Sequence, residues 1–160
     1  MAIRTIRIPR AVGFGAGVLA LSLLVFSIAG AIWGMFRPEL SGKQQPDGSV
    51  VIDPVTNVEF TSFITFVLIT ALGSVVLGTV VFAAAPPRFR GLSTLLWVGF
   101  VAIAGAYAFV IFGNWSAGTA DGTGSNIEFV PPLDPGVFVL VAPFFGMFAY
   151  WSAVFVGGDD

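Results

Sequence analysis

The chain has no cysteine and no histidine, and four long stretches of it carry no charge. Each absence removes chemistry. Without cysteine there is no disulfide frame, thiol nucleophile, iron–sulfur cluster or thiolate metal site. Without histidine the commonest metal ligand, haem ligand and general base are missing together. Met35 and Met147 lie close to or within the apolar stretches, and neither has a second soft ligand beside it. The residues therefore assign no catalytic, cofactor-binding or metal-binding position. Charged residues are 10% of the chain, against roughly 25% in a soluble domain. A net charge of -2 and a pI near 4.9 supply no basic footprint for nucleic acid.

What the chain does have is apolar length. Hydrophobic residues make up 56% of its 160 positions, and the mean hydropathy is +0.94. All seven basic and nine acidic side chains fall outside the runs Ala11 to Phe36, Phe60 to Pro87, Gly91 to Ala120 and Pro135 to Gly158. Each run can supply the ~20 apolar residues that a bilayer-spanning helix needs. The pattern predicts an all-α integral membrane protein with a single membrane domain over residues 1–160. Its transmembrane helices are expected over residues 11–36, 60–84, 92–113 and 136–157, and its outer loops over 37–59 and 114–135. The first run follows basic residues, as a signal peptide would, but its 26 uncharged residues exceed a signal core of about 7–15. A retained helix is expected.

Basic residues set the orientation. Arg4, Arg7 and Arg10 precede the first helix, and Arg88 and Arg90 connect the second and third, whereas the other connections hold only Arg37 and Lys43. The positive-inside rule places the arginine-rich side and both termini in the cytoplasm of a multi-pass plasma-membrane protein. Glu39, Asp47, Asp53, Glu59, Asp121, Glu128 and Asp134 gather in the outer loops. They match no calcium-loop spacing and read as solvated acidic surface.

The two halves share an ordered set of short matches, which suggests tandem hairpins. Pro9-Arg10, Ile28-Ala29-Gly30-Ala31, Asp47-Gly48-Ser49 and Asn57-Val58-Glu59-Phe60 are followed by Pro87-Arg88, Ile103-Ala104-Gly105-Ala106, Asp121-Gly122-Thr123 and Asn126-Ile127-Glu128-Phe129. Their offsets drift from 78 through 75 and 74 to 69, so a duplication requires small deletions.

Small residues form stripes that allow helices to approach closely in lipid. The expected packing faces are Gly13, Gly17, Ala20, Leu24, Ser27, Ala31 and Gly34 in the first helix, and Thr70, Gly73, Ser74 and Gly78 in the second. The third offers Gly99, Ala102, Ala106 and Gly113, broken by Phe109, and the fourth offers Ala142, Gly146, Ala149 and Ala153. Pro143 predicts a kink in the fourth helix. Phe138, Phe145, Phe148 and Phe155 form an aromatic face suited to lipid or to grooves on a partner. Trp33, Trp97, Trp115, Tyr150 and Trp151 read as interfacial anchors. In the first outer loop, Pro46-Asp47-Gly48 and Ser49-Val50-Val51-Ile52 predict a turn and a short extended segment, which a small hairpin on the membrane surface would accommodate.

With its polar and small residues spent on packing, the chain reads as a non-catalytic accessory or assembly subunit of a larger membrane complex. A bacterial respiratory, electron-transport complex is the specific expectation. The expected partners are the lipid bilayer and a larger membrane protein complex packed on the small-residue or aromatic faces. The alternative is a small oligomeric transporter or channel using Thr65, Thr70, Ser74 and Thr79. Small four-helix drug exporters are similar in topology, but they centre on an intramembrane Glu that this chain lacks. No nucleophile, base and orienting group occur together, so enzymatic activity is not expected.

Overall fold

A computed structural model describes residues 10–44, 50–52, 57–118 and 126–157. Arg4, Arg7, the Pro46-Asp47-Gly48 turn, Asp53, Asp121-Gly122-Thr123, Asp159 and Asp160 lie outside the described residues. In chain order the elements are helix α1 (Arg10–Met35), strands β1 (Leu40–Gln44) and β2 (Val50–Ile52), helix α2 (Val58–Ala84), a 3-10 turn (Pro87–Phe89), helix α3 (Leu92–Ser116), strand β3 (Asn126–Phe129), a second 3-10 turn (Gly136–Leu140) and helix α4 (Val141–Gly157). Among the described residues, four helical spans, the last including its 3-10 turn, are long and apolar enough to cross a membrane, as in a multi-pass membrane protein.

Local sequence explains the boundaries. Pro38 follows α1, and Pro86-Pro87 follow α2; neither proline pair nor single proline can donate to a continuing helix. Glu59 complements the positive end of the α2 dipole. Helix α3 runs out at Gly118, whose φ of 81° ends the helical path at no steric cost. Pro143 lies in the first turn of α4, directly after the Gly136–Leu140 3-10 turn. Its missing N–H is therefore absorbed at the start of the α-helix, and the expected mid-helix kink becomes a junction between two helix types.

Helix α1 packs mainly on α3, α2 on α4, and α3 on α4; the chain neighbours α1 and α2 touch little. Contacts advance together along the first two pairs. Phe26 meets Gly105, Gly30 meets Phe109 and Gly34 meets Gly113, so α1 and α3 run parallel. Gly78 meets Gly146 and Phe82 meets Gly157, so α2 and α4 do too. The α3–α4 seam runs in opposite senses, with Gly99 against Met147 and Ala102 and Ala106 in one cluster with Val139 and Ala142.

The stripes on α2, α3 and α4 face inward: Thr70, Ser74, Gly78, Gly99, Ala102, Ala106, Gly113, Ala142 and Gly146 are buried. On α1 the expectation fails over its first half. Gly13, Gly17 and Ala20 are exposed, Leu24 is 57% exposed, and the buried row is Ser22, Phe26, Gly30 and Gly34. This row steps by four throughout, and its one large residue, Phe26, fits between Gly73 and Gly105. A bulky side chain entering a notch cut by glycines on two neighbours buries as well as a small one would.

Outside the helical layer, both long connections contribute to one antiparallel sheet of order β2-β1-β3. Strand β1 pairs with β2 (Gly42 opposite Ile52) and with β3 (Leu40 opposite Phe129). The all-α expectation thus holds for the spanning layer only. The matched tetrapeptides of the two halves also part company: Val58-Glu59-Phe60 opens α2, whereas Asn126-Ile127-Glu128-Phe129 is β3. Pro131, Pro132 and Pro135 follow the second copy and bar a helix there.

Candidate functional site

The most elaborate polar arrangement lies where the sheet meets the bundle, around Arg37. The chain leaves α1 at Met35 and turns back, with the Arg37 amide donating to the Gly34 carbonyl at 3.3 Å. This carries the guanidinium over the ends of α1 and α3, where it is only 6% exposed. Nη1 donates to Asn114 Oδ1 at 2.8 Å, and Nη2 donates to the Pro131 carbonyl. The Trp33 ring lies beneath, 4.9 Å from the guanidinium carbon. Desolvation by burial lowers the Arg37 pKa from its ordinary value. Arginine nevertheless stays protonated in proteins, so the site holds a permanent buried cation.

Asn114, near the end of α3, serves the same junction from both sides of its amide. Its Nδ2 donates to the Leu133 carbonyl at 3.0 Å, and its Oδ1 accepts from the Leu133 amide at 2.9 Å. One side chain thereby satisfies both backbone groups of Leu133 as a neighbouring strand would. Ser116 bonds the Ala31 carbonyl at 2.7 Å, and Trp33 Nε1 donates to Thr65 Oγ1 at 3.1 Å, extending the network across α1, α2 and α3. Asp134 Oδ1 accepts from the Gly136 amide at 3.0 Å. A pocket of about 430 Å³ opens beside this latch, lined by Arg37, Phe60, Phe63 and Pro131 to Leu133, with Glu59 and Asp134 at its polar side.

Chemically the arrangement holds a loop in place. The partners of Arg37 are a neutral amide, a carbonyl and a ring, and no group of three or more His, Cys, Asp or Glu able to hold a metal occurs among the described residues. The hydroxyls considered for transport are mostly turned on their own helix. Thr65 donates to the Thr61 carbonyl at 2.8 Å, Thr70 to Phe66 at 2.8 Å, and Thr79 to Val75 at 2.9 Å. Ser74 is fully buried, its Oγ without a partner.

The aromatic residues divide differently from the expectation. Trp115 is exposed at the sheet end, as an anchor would be, but Trp33 is folded into the latch and Tyr150 is only 2% exposed, in a cluster with Val81 and Val98. The outward face of α4 carries Phe144, Phe148, Trp151 and Phe155, linked by successive ring contacts of 5.8 to 6.4 Å. Phe138 and Phe145 are exposed as well, although Phe138 also meets Phe63 edge-on at 4.7 Å.

At the opposite end of the bundle, Arg90 Nε donates to the Ala85 carbonyl at 3.2 Å, and its guanidinium lies 4.3 Å from the Phe82 ring centroid. It sits on the negative end of the α2 dipole. Arg37 and Asn114 carry no signature that composition would reveal; the one available signal was an arginine four residues after a tryptophan at the edge of an uncharged run. Comparison of the chain with family profiles, with curated proteins and with solved structures finds no match.

Proposed function

We propose that the chain is a non-catalytic accessory or assembly subunit of a larger complex in a bacterial plasma membrane. An electron-transport complex is the assembly to test first. One observation carries the reading: both long connections are woven into a single sheet and latched to the helices through Arg37 and Asn114. A membrane protein that spends its buried arginine on holding its outer loops presents a shaped surface, and the described sheet offers β2 and β3 as edges. Within the bilayer, the exposed Phe144-Phe148-Trp151-Phe155 row supplies a broad apolar contact for a neighbouring helix.

In this reading the Arg88–Arg90 end is cytoplasmic, the two halves are tandem hairpins with both termini inside, and the sheet faces outward. The cysteine-free chain suits a direct orientation test. A single cysteine at exposed Gly91 should react with a membrane-impermeant maleimide only after cells are opened, and one at exposed Gly118 before. The opposite pattern inverts the assignment. Function is tested by purification from native membranes in mild detergent: recovery within a larger assembly of fixed stoichiometry is expected. A lone monomer that drives substrate flux in liposomes would replace this reading with the transporter.

A further inference from the structure

We propose that the groove between the first turns of α1 and α3 is a binding site for one anionic phospholipid, independent of the subunit role. The groove has a volume of about 470 Å³, and its wall is formed by Val12, Gly15 and Ala16 of α1, Phe89 of the 3-10 turn, and Ser93 and Trp97 of α3. It is open because α1 presents its small residues here. A Cβ placed on Gly15 would lie 3.5 Å from Trp97 Nε1, in ordinary contact, so the indole forms the floor, with Phe14 and Leu19 also on the lining.

The groove is apolar along its length and positive at its mouth. The Arg88 guanidinium lies over the Phe89 ring, 4.8 Å from its centroid, and is itself exposed. Helix α3 starts beside it with no side-chain cap and no acidic residue in its first turn. The Thr94 and Leu95 amides bond the Gly91 carbonyl, while the Leu92 and Ser93 amides precede the first intrahelical acceptor. A guanidinium, free helix amides and the positive end of a dipole converge where an apolar groove reaches the membrane boundary. A phosphate bearing a hydrocarbon tail complements both parts. A zwitterionic lipid fits the groove equally well but offers the mouth no net charge.

The test uses the full chain in nanodiscs of equal phosphatidylglycerol and phosphatidylcholine, released for native mass spectrometry. The wild type should retain one tightly held phosphatidylglycerol. Arg88→Gln should keep a lipid but lower the preference for phosphatidylglycerol about fivefold, the effect of roughly one basic side chain near an anionic surface. Val12→Trp and Ala16→Phe, which fill the groove from exposed positions, should each lose the bound lipid whatever its headgroup. Equal retention of the two lipids by the wild type overturns the proposal. So does undiminished lipid in both filled variants, or a groove occupied by a protein partner in the native assembly.

Discussion

The α1–α3 and α2–α4 pairs solve one problem with different means. In both, parallel helices come close enough that a Cβ would collide with the opposite backbone: at Gly30 with Phe109 and at Gly34 with Gly113 in the first pair, and at Gly78 with Gly146 in the second. Parallel neighbours also bring like dipole ends together, so each pair gathers negative partial charge at its carboxyl-terminal end. An arginine sits at each of those ends. Arg37 is buried, with two hydrogen-bond acceptors and a tryptophan ring, and it binds the connection before α4; Arg90 is half-buried, with one carbonyl and one phenylalanine ring, and it binds only the end of α2. The same electrostatic role has thus been combined with loop attachment at one end and left separate at the other.

Substitutions can break this parallel. Gly34→Leu should have the largest effect, because both the Gly113 carbonyl and the Ser116 hydroxyl occupy the space. Loss of about 3 kcal/mol is expected from overpacking against backbone, and Gly78→Leu should match it. Unfolding in detergent micelles followed by circular dichroism measures both. A much larger effect in one pair would show that the other adjusts its crossing.

Asn114→Leu should come next, at about 2–3 kcal/mol, since it strips partners from Arg37 and from the Leu133 backbone together. The double variant Arg37→Met/Asn114→Leu removes the stranded cation as well, and a coupling of about 1–2 kcal/mol in the four-variant cycle is expected. Additive effects would mean that the latch is not one unit. Arg90→Gln should cost about 1 kcal/mol, from the helix end and the Phe82 ring combined. Gly17→Leu should change stability by less than about 0.5 kcal/mol, because nothing lies within 4 Å of its Cβ position.

The helical layer was legible because lipid imposes a single requirement, uncharged length, and the four runs state it in their composition. The observed helices begin and end within about three residues of the expected bounds, apart from the 3-10 start of the last. Helix faces were legible only where small residues lie directly on the contact. On α1 the true face includes Phe26, whose burial depends on Gly73 and Gly105 of other helices, and a stripe count on one helix does not register that. Strand β3 and the Arg37–Asn114 latch depend on groups 77 or more residues apart, which no local period encodes. The extended Val50-Val51-Ile52 segment was anticipated, but its sheet spans both loops and is no isolated hairpin.

The β1–β3 pairing has a consequence for biogenesis. As the chain emerges from the ribosome, α1 and α2 enter the membrane while Asn114, Pro131 and Phe129 have yet to be made. Until α3 and the following segment arrive, Arg37 has no Asn114 and Leu40 has no cross-strand partner in Phe129. The first loop is therefore obliged to wait, solvated, until the second connection reaches it. Completion of the sheet then reports that the chain has been made through α3 and β3, with only α4 still to follow.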